Sequence, residues 1–428
     1  MNNPLAVAVK GKGLPNLLKR SLAIGRRYGL TSARMDRQLG IFTRVLEAFD
    51  CGATFPLTAS TLARSRGRLE KYQDQGIEFA IHGYHHVDYS QLSLDQQTEH
   101  MIQARQAFEG DHLRCSGFRC PYLRWSPDTL KALSALGFSY DSSQALAWSV
   151  VDDFDTEAYR QALGFYRARS ADDYPSLPRL TDGLLRIPYS LPDDEALVER
   201  FRLAEAGPMA DLWLKVLQRS HELGEMFTLG LHPERITLCR EALRAVLAKA
   251  RSLSPSVWIA RLDEIADWWR ARAETTYRVT EAGEGSSRVT VDGPRGAVVL
   301  ARGLSVQAPT QPWNRGYRRV QANDFVFQAD RLPLIGVSPG SPDSLVSFLR
   351  QQGYLTARVA DARSYAFYLD RTDFAAEDER PLLAQLEQET SPLIRLARWP
   401  DGTQSALSIT GDIDAFTLWD FFLRAFIS

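Results

Sequence analysis

Cysteine is scarce. The 428 residues hold four, Cys51, Cys115, Cys120 and Cys239, and none stands in a CxxC pair. That excludes a disulfide framework and a zinc knuckle. Long apolar runs are missing too. No stretch approaches the ~18 residues of a membrane-spanning helix, and the first twenty residues have neither the apolar core nor the cleavage pattern of a secretory signal. The expected location is therefore the cytoplasm. Charge of one sign is also lacking: 51 basic against 52 acidic residues give a net charge of −1. Nothing in that balance calls for nucleic acid or an acidic membrane. The basic stretch LLKRSLAIGRRYG reads as a solvated helix face. Histidine is rare at seven residues, and three of the seven fall within the five positions 82–86.

What is present is a globular composition, 44% hydrophobic and 24% charged, in a chain long enough for two or three domains. Between about residues 35 and 270, short apolar runs alternate with amphipathic helical patterns. Strands are predicted in CGATFPLTA, IEFAIHG, SGFRCPY, GLLRIPYSL, MFTLGLHP and SVWIARL. Helices are predicted over 32–49, 60–76, 93–110, 126–139 and 263–273. Ser93 with Gln96 has the form of a capping box, and Ser126 precedes a proline at the first helical position. Such alternation predicts an α/β fold with a parallel sheet or barrel. From about 271 to 395 the texture changes to antiparallel β and then mixed α+β, a separate accessory module. Residues 396–428 form a last strand, an acidic turn and an aromatic-rich helix.

Three short stretches could carry chemistry. In HGYHH, His82 and His86 are four apart at the end of an apolar strand, a spacing that can bring two imidazoles to one cation. The strand's C-terminal mouth is where α/β barrels keep their active sites. HExxH is absent, which argues against a metalloprotease. In FRCPY, Arg119 can orient a carboxylate through a bidentate pair, and the Tyr122 N–H can donate into a site. In LGLHPERI, His232 closes another apolar strand and suits proton transfer near neutral pH. Taken singly, each stretch also reads as an ordinary strand end.

In order, ATFPLTA, GIEFAIHGYHHVDYSQLS, GFRCPY and LHPERI resemble the polysaccharide deacetylase family, the NodB-like carbohydrate esterases, over roughly residues 30–270. The resemblance implies a distorted (β/α) barrel, a bound divalent metal, and hydrolysis of N- or O-acetyl groups. That family opens on a motif with two adjacent aspartates, one a general base and the other a metal ligand. Here the corresponding place holds Thr31, Ser32, Ala33 and Arg34, and the nearby Asp36 falls within a helical pattern.

The missing acids have a counterpart at the other end. SALSITGDIDAF is an apolar strand followed by Asp412 and Asp414, separated by Ile413. It resembles a D-x-D form of the opening motif, which implies a circular permutation with the first barrel strand encoded last. A turn acid and a helix cap are the plainer reading of the same two residues. On the permuted reading, Asp414, His82 and His86 hold the ion, zinc or a similar divalent cation. Asp412 is the base, Arg119 holds it, Tyr122 helps stabilise the oxyanion, and His232 is the acid. Asp88, Trp125, Asp141 and Trp148 are expected to line a sugar groove. The expected substrate is an acetylated sugar or glycan precursor. A non-sugar amide hydrolase and an inactive glycan-binding barrel are the alternatives, and oligomers or a swapped C-terminal strand stay open.

Overall fold

The apolar runs Ala53–Leu57 and Ile77–Ile81 are buried at every position, as strands covered by helices on both faces must be. They pair in parallel, Ala53 opposite Ile77 through Leu57 opposite Ile81. The computed structural model describes residues 25, 27–151, 154–283 and 285–427. The basic stretch 17–29 lies largely outside them.

Around these two strands runs a curled half-barrel sheet of α/β type. From Tyr189–Leu191 it proceeds through Met226–Leu231, Ser405–Gly411, Ala53–Leu57, Ile77–Ile81, Gly117–Phe118 and Tyr140–Asp141 to Leu184–Arg186. Neighbours along this path are parallel. The Ser405–Gly411 strand, buried throughout, lies in the middle of the sheet. It pairs with Met226–Leu231 along its length, with Val257–Ile259 at its start, and with Ala53–Leu57 through Thr410. Its Leu407 and Ile409 are fully buried, each contributing about 1.5–3 kcal/mol of apolar burial.

The predicted caps are present. Ser93 and Gln96 form a capping box on Leu94–Gly110, and Ser126 caps Pro127–Ala135. Two predictions need correction. The helix expected over 60–76 is two short pieces, Ala59–Ala63 and Glu70–Gln73, interrupted where Gly67 takes a positive φ. The run GLLRIPYSL is two strands, Leu184–Arg186 and Tyr189–Leu191. Pro188 lies between them, where the chain gives up a ladder N–H. The first half joins Tyr140–Asp141 and the second joins Met226–Leu231, on opposite flanks of the sheet.

Beyond Ala273 the chain forms antiparallel strands, beginning with Thr276–Glu281 against Ser286–Asp292. A second antiparallel sheet pairs Val299–Arg302 with Leu393–Leu396. A parallel three-stranded sheet centres on Leu332–Val337, with helices Asp343–Gln351 and Glu379–Gln388 nearby in sequence. This region shares a hydrophobic cluster with the half-barrel. Trp269, Leu262 and Ala406 pack in one group with Leu300, Ile335, Leu345 and Trp399.

Candidate active site

Four strand ends meet at one mouth of the sheet. The chain leaves Ser405–Gly411 with the Asp412 N–H donating to the Leu231 carbonyl at 3.0 Å and the Ile413 N–H to the Pro56 carbonyl at 2.7 Å. Those two bonds fix the acidic turn between its neighbouring strands. Ile413, between the two acids, is fully buried in the hydrophobic core. Thr61 Oγ1 then donates to the Asp414 carbonyl at 3.1 Å.

The histidines arrive from the end of Ile77–Ile81, two strands away across Ala53–Leu57. His82 Nε2 lies 3.5 Å from Asp414 Oδ1 and 4.0 Å from Asp412 Oδ2; His86 Nε2 lies 3.3 Å from Asp414 Oδ1. His82, His86 and Asp414 each offer a ligand atom within 4.8 Å of the others, and all three are buried. A tetrahedral ion with bonds of ~2.0–2.1 Å separates its ligands by about 3.3 Å, so the observed spacings fit a divalent cation. His82 Nδ1 lies 2.9 Å from the Arg119 carbonyl. A carbonyl can only accept, so Nδ1 carries a proton and Nε2 is the nitrogen turned towards Asp414, an arrangement usual for metal-binding imidazoles.

Arg119 is fully buried. Its Nη1 donates to Asp412 Oδ1 at 2.5 Å and to Thr410 Oγ1 at 3.1 Å. Its Nε and Nη2 go to the carbonyl and hydroxyl of Ser142, and the guanidinium lies 4.6 Å from the Tyr189 ring centroid. A buried charge held on every side is a rigid support for the carboxylate it faces. Tyr122 and Leu123 both sit at positive φ, 57° and 56°. Consecutive left-handed residues with side chains are costly and cluster at functional sites. The Tyr122 ring stands edge-on to His86, centroids 4.4 Å apart.

His232 closes the far side. Its Nδ1 is 2.6 Å from Asp194 Oδ1, and its N–H donates to Asp194 Oδ2 at 2.7 Å. Burial pulls the imidazole's pKa down, but the Asp194 charge and hydrogen bond outweigh it and hold the pKa well above its ordinary value. Burial likewise opposes ionisation of Asp194, yet His232 and Arg235 keep its carboxyl below the usual range. His82, His86, Tyr122, His232, Asp412 and Asp414 all line one cavity of about 960 Å³, at the upper end of the ~300–1,000 Å³ usual for small-molecule sites.

Residues 41–140 match the family model described as polysaccharide deacetylase. That segment is similar to the polysaccharide deacetylase family over about a quarter of the chain. The match contains His82, His86, Arg119 and Tyr122, whereas His232, Asp412 and Asp414 lie beyond it. Among curated proteins, the peptidoglycan deacetylase-like protein FGM2 of Gibberella zeae is 36% identical over 93 residues, 21% of this chain. The match spans about a quarter (24%) of that protein's length. Among solved structures, a probable polysaccharide deacetylase from Pseudomonas aeruginosa PAO1 is 23% identical, covering 56% of this chain and 73% of its own, with a TM-score of 0.43. The Puue allantoinase is 22% identical, covering 55% and 72%, also at 0.43.

The sugar-groove expectations do not hold. Asp88 accepts from Ser90 and from Arg124 Nε, ordering its own loop. Trp125 is covered by the Arg186 guanidinium at 3.8 Å from the ring centroid. Asp141 is fully buried against Ser143 and Arg186. Trp148 is buried core, its Nε1 donating to Ser190 Oγ at 3.3 Å. None lines the cavity. Asp36 is on the Ala33–Glu47 helix and pairs with Arg68. Asp194 was missed, as were Tyr189, Arg34 and Arg202 on the cavity wall. The signal for Asp194 was present: two adjacent aspartates directly after the strand Tyr189–Leu191 and Pro192.

Proposed function

We propose that this protein is a metal-dependent hydrolase that removes an acetyl group from an acetamido or O-acetyl sugar, a glycan or its precursor. The observation that carries this reading is the convergence of Asp414, His82 and His86 at ligand spacing, beside an arginine-held Asp412. In this reading the first barrel strand is encoded last, a circular permutation. Residues 271–395 form an accessory module, and residues 396–428 complete the barrel begun by 1–270. Central placement of Ser405–Gly411 between Ala53–Leu57 and Met226–Leu231 supports it.

Asp414, His82 and His86 would hold the divalent ion, zinc or similar. Bound there, it supplies Lewis acidity and makes water ionisable near neutral pH. Asp412 takes the proton from the attacking water, held for that by the single Arg119 Nη1 bond in place of the expected bidentate pair. The Tyr122 N–H donates to the carbonyl oxygen as negative charge develops, a contribution typically worth about 3–4 kcal/mol. His232, kept protonated by Asp194, gives its proton to the departing amine or alcohol.

Acetate release from N- and O-acetylated sugars by the metal-loaded chain tests this. Asp412→Asn, which keeps the shape and loses the base, should lower kcat about 10²–10⁴-fold while the metal stays bound. Full activity in Asp412→Asn, or no acetate release from any acetylated sugar, would contradict the reading.

A further inference from the structure

The charges around the cavity are matched with two exceptions. Of its acids, Glu195 faces Arg200 at 3.7 Å. Glu199 and Glu234 are held by Arg27 and Arg235, with Arg27 Nη1 to Glu199 at 3.3 Å and closer pairs from Arg27 to Glu234 and from Arg235 to Glu199. Asp412 is held by Arg119, and Asp414 faces the Nε2 atoms of His82 and His86 as the third member of the candidate ligand set. Asp193 accepts from the Tyr189 hydroxyl at 2.8 Å; burial, with Glu195 and Asp194 beside it, pushes its carboxyl up to about 7. Every acid on the wall outside the candidate ligand set therefore has a cation or a donor.

Arg34 and Arg202 have neither. Both line the cavity and both side chains are exposed. Among the described residues, neither arginine is within ion-pair or hydrogen-bond distance of a partner. They come from separate parts of the chain. Arg34 is in the first turn of Ala33–Glu47, where an arginine opposes the helix dipole instead of complementing it. Arg202 follows a π-helical turn, Ala196–Arg200, and is held at φ 58°. π-turns and left-handed residues with side chains carry a local cost and concentrate at functional sites. Two uncompensated guanidinium groups on the wall of one site raise the local concentration of anions. Their planar forks match carboxylate and phosphate oxygens.

We propose that the substrate is an acetylated sugar bearing an oxyanion, phosphate or carboxylate, bound by Arg34 and Arg202 while its acetyl group lies at His82, His86 and Asp414. This inference rests on the deacetylase reading and adds the substrate's charge to it. The test is calorimetric titration of the metal-loaded full chain with N-acetylglucosamine, its 1-phosphate and N-acetylglucosaminuronic acid, paired with acetate release from each. The preferred anionic sugar should bind at least tenfold tighter than the neutral one, and the choice between the two anions identifies the oxyanion. In Arg34→Gln/Arg202→Gln the anionic-to-neutral affinity ratio should fall towards one, and Arg34→Lys/Arg202→Lys should restore part of it. Equal binding of all three sugars, or a ratio unaltered in the glutamine variant, overturns the proposal. Acetate release at equal kcat/KM from all three would leave the deacetylase reading standing and this inference wrong. An arginine-dependent anion preference without acetate release would do the reverse.

Discussion

His232 and Asp194 set each other's chemistry. A lone buried imidazole would be neutral at pH 7, because desolvation disfavours its charged form. Here the Asp194 carboxylate reverses that. The folded pKa of His232 lies above its unfolded value of ~6.5. Its contribution to stability is therefore complete below about pH 6.5 and is lost as pH rises through the folded value. Asp194 is shifted the other way, so its contribution is present above about pH 4 and is lost as pH falls through the depressed value. Asp194→Asn should drop the His232 pKa below its ordinary value, seen by NMR titration of the imidazole. It should also cost about 3–5 kcal/mol in denaturant unfolding at pH 6, as breaking a buried pair does. An unmoved His232 titration would show that Asp194 is not its partner in solution. His232 was legible in LGLHPERI because a strand end carries it to the mouth of the sheet. Asp194 was not, because the pairing spans 38 positions and depends on which strands are neighbours.

Elements with a strong local signature were read correctly. The Ser93–Gln96 capping box, the Ser126 cap and the mostly apolar runs announce themselves through period and terminal polar residues. Pairing is another matter, since one apolar run looks like another. GLLRIPYSL read as one strand, yet Pro188 divides it and its halves serve opposite flanks. The second half matters to the site: Tyr189 covers Arg119, and Gly230 on the neighbouring strand makes room for it. A Cβ at Gly230 would stand 1.8 Å from the Tyr189 hydroxyl oxygen. Gly230→Ala should therefore force the ring aside, destabilising by about 1–3 kcal/mol and lowering kcat through Arg119. The double variant Gly230→Ala/Tyr189→Ala should cost less than the two single variants summed, measured as a double-mutant cycle by chemical denaturation. Strict additivity would mean that the ring does not hold this position.

At the scale of the molecule, the site is assembled from distant parts of the chain. Thr61 reaches Asp414 across 353 positions, and Arg119 reaches Asp412 across 293. Sequence motifs identified the histidine-bearing rim and suggested where its acids were. Local pattern could not foresee the matched arginine–glutamate wall, because those pairs form only once the half-barrel curls. It also offered no way to exclude the four groove residues, whose contacts are set by the whole fold. The central claim is that the tail completes a cation site begun near the head. Its most direct test is titration of a divalent ion, zinc first, into the chelator-stripped full chain and into Asp414→Ala, followed by calorimetry. The account predicts one tight equivalent in the parent chain and at least a hundredfold weaker binding in the variant, with the fold intact by circular dichroism. Equal stoichiometry and affinity in both would contradict it.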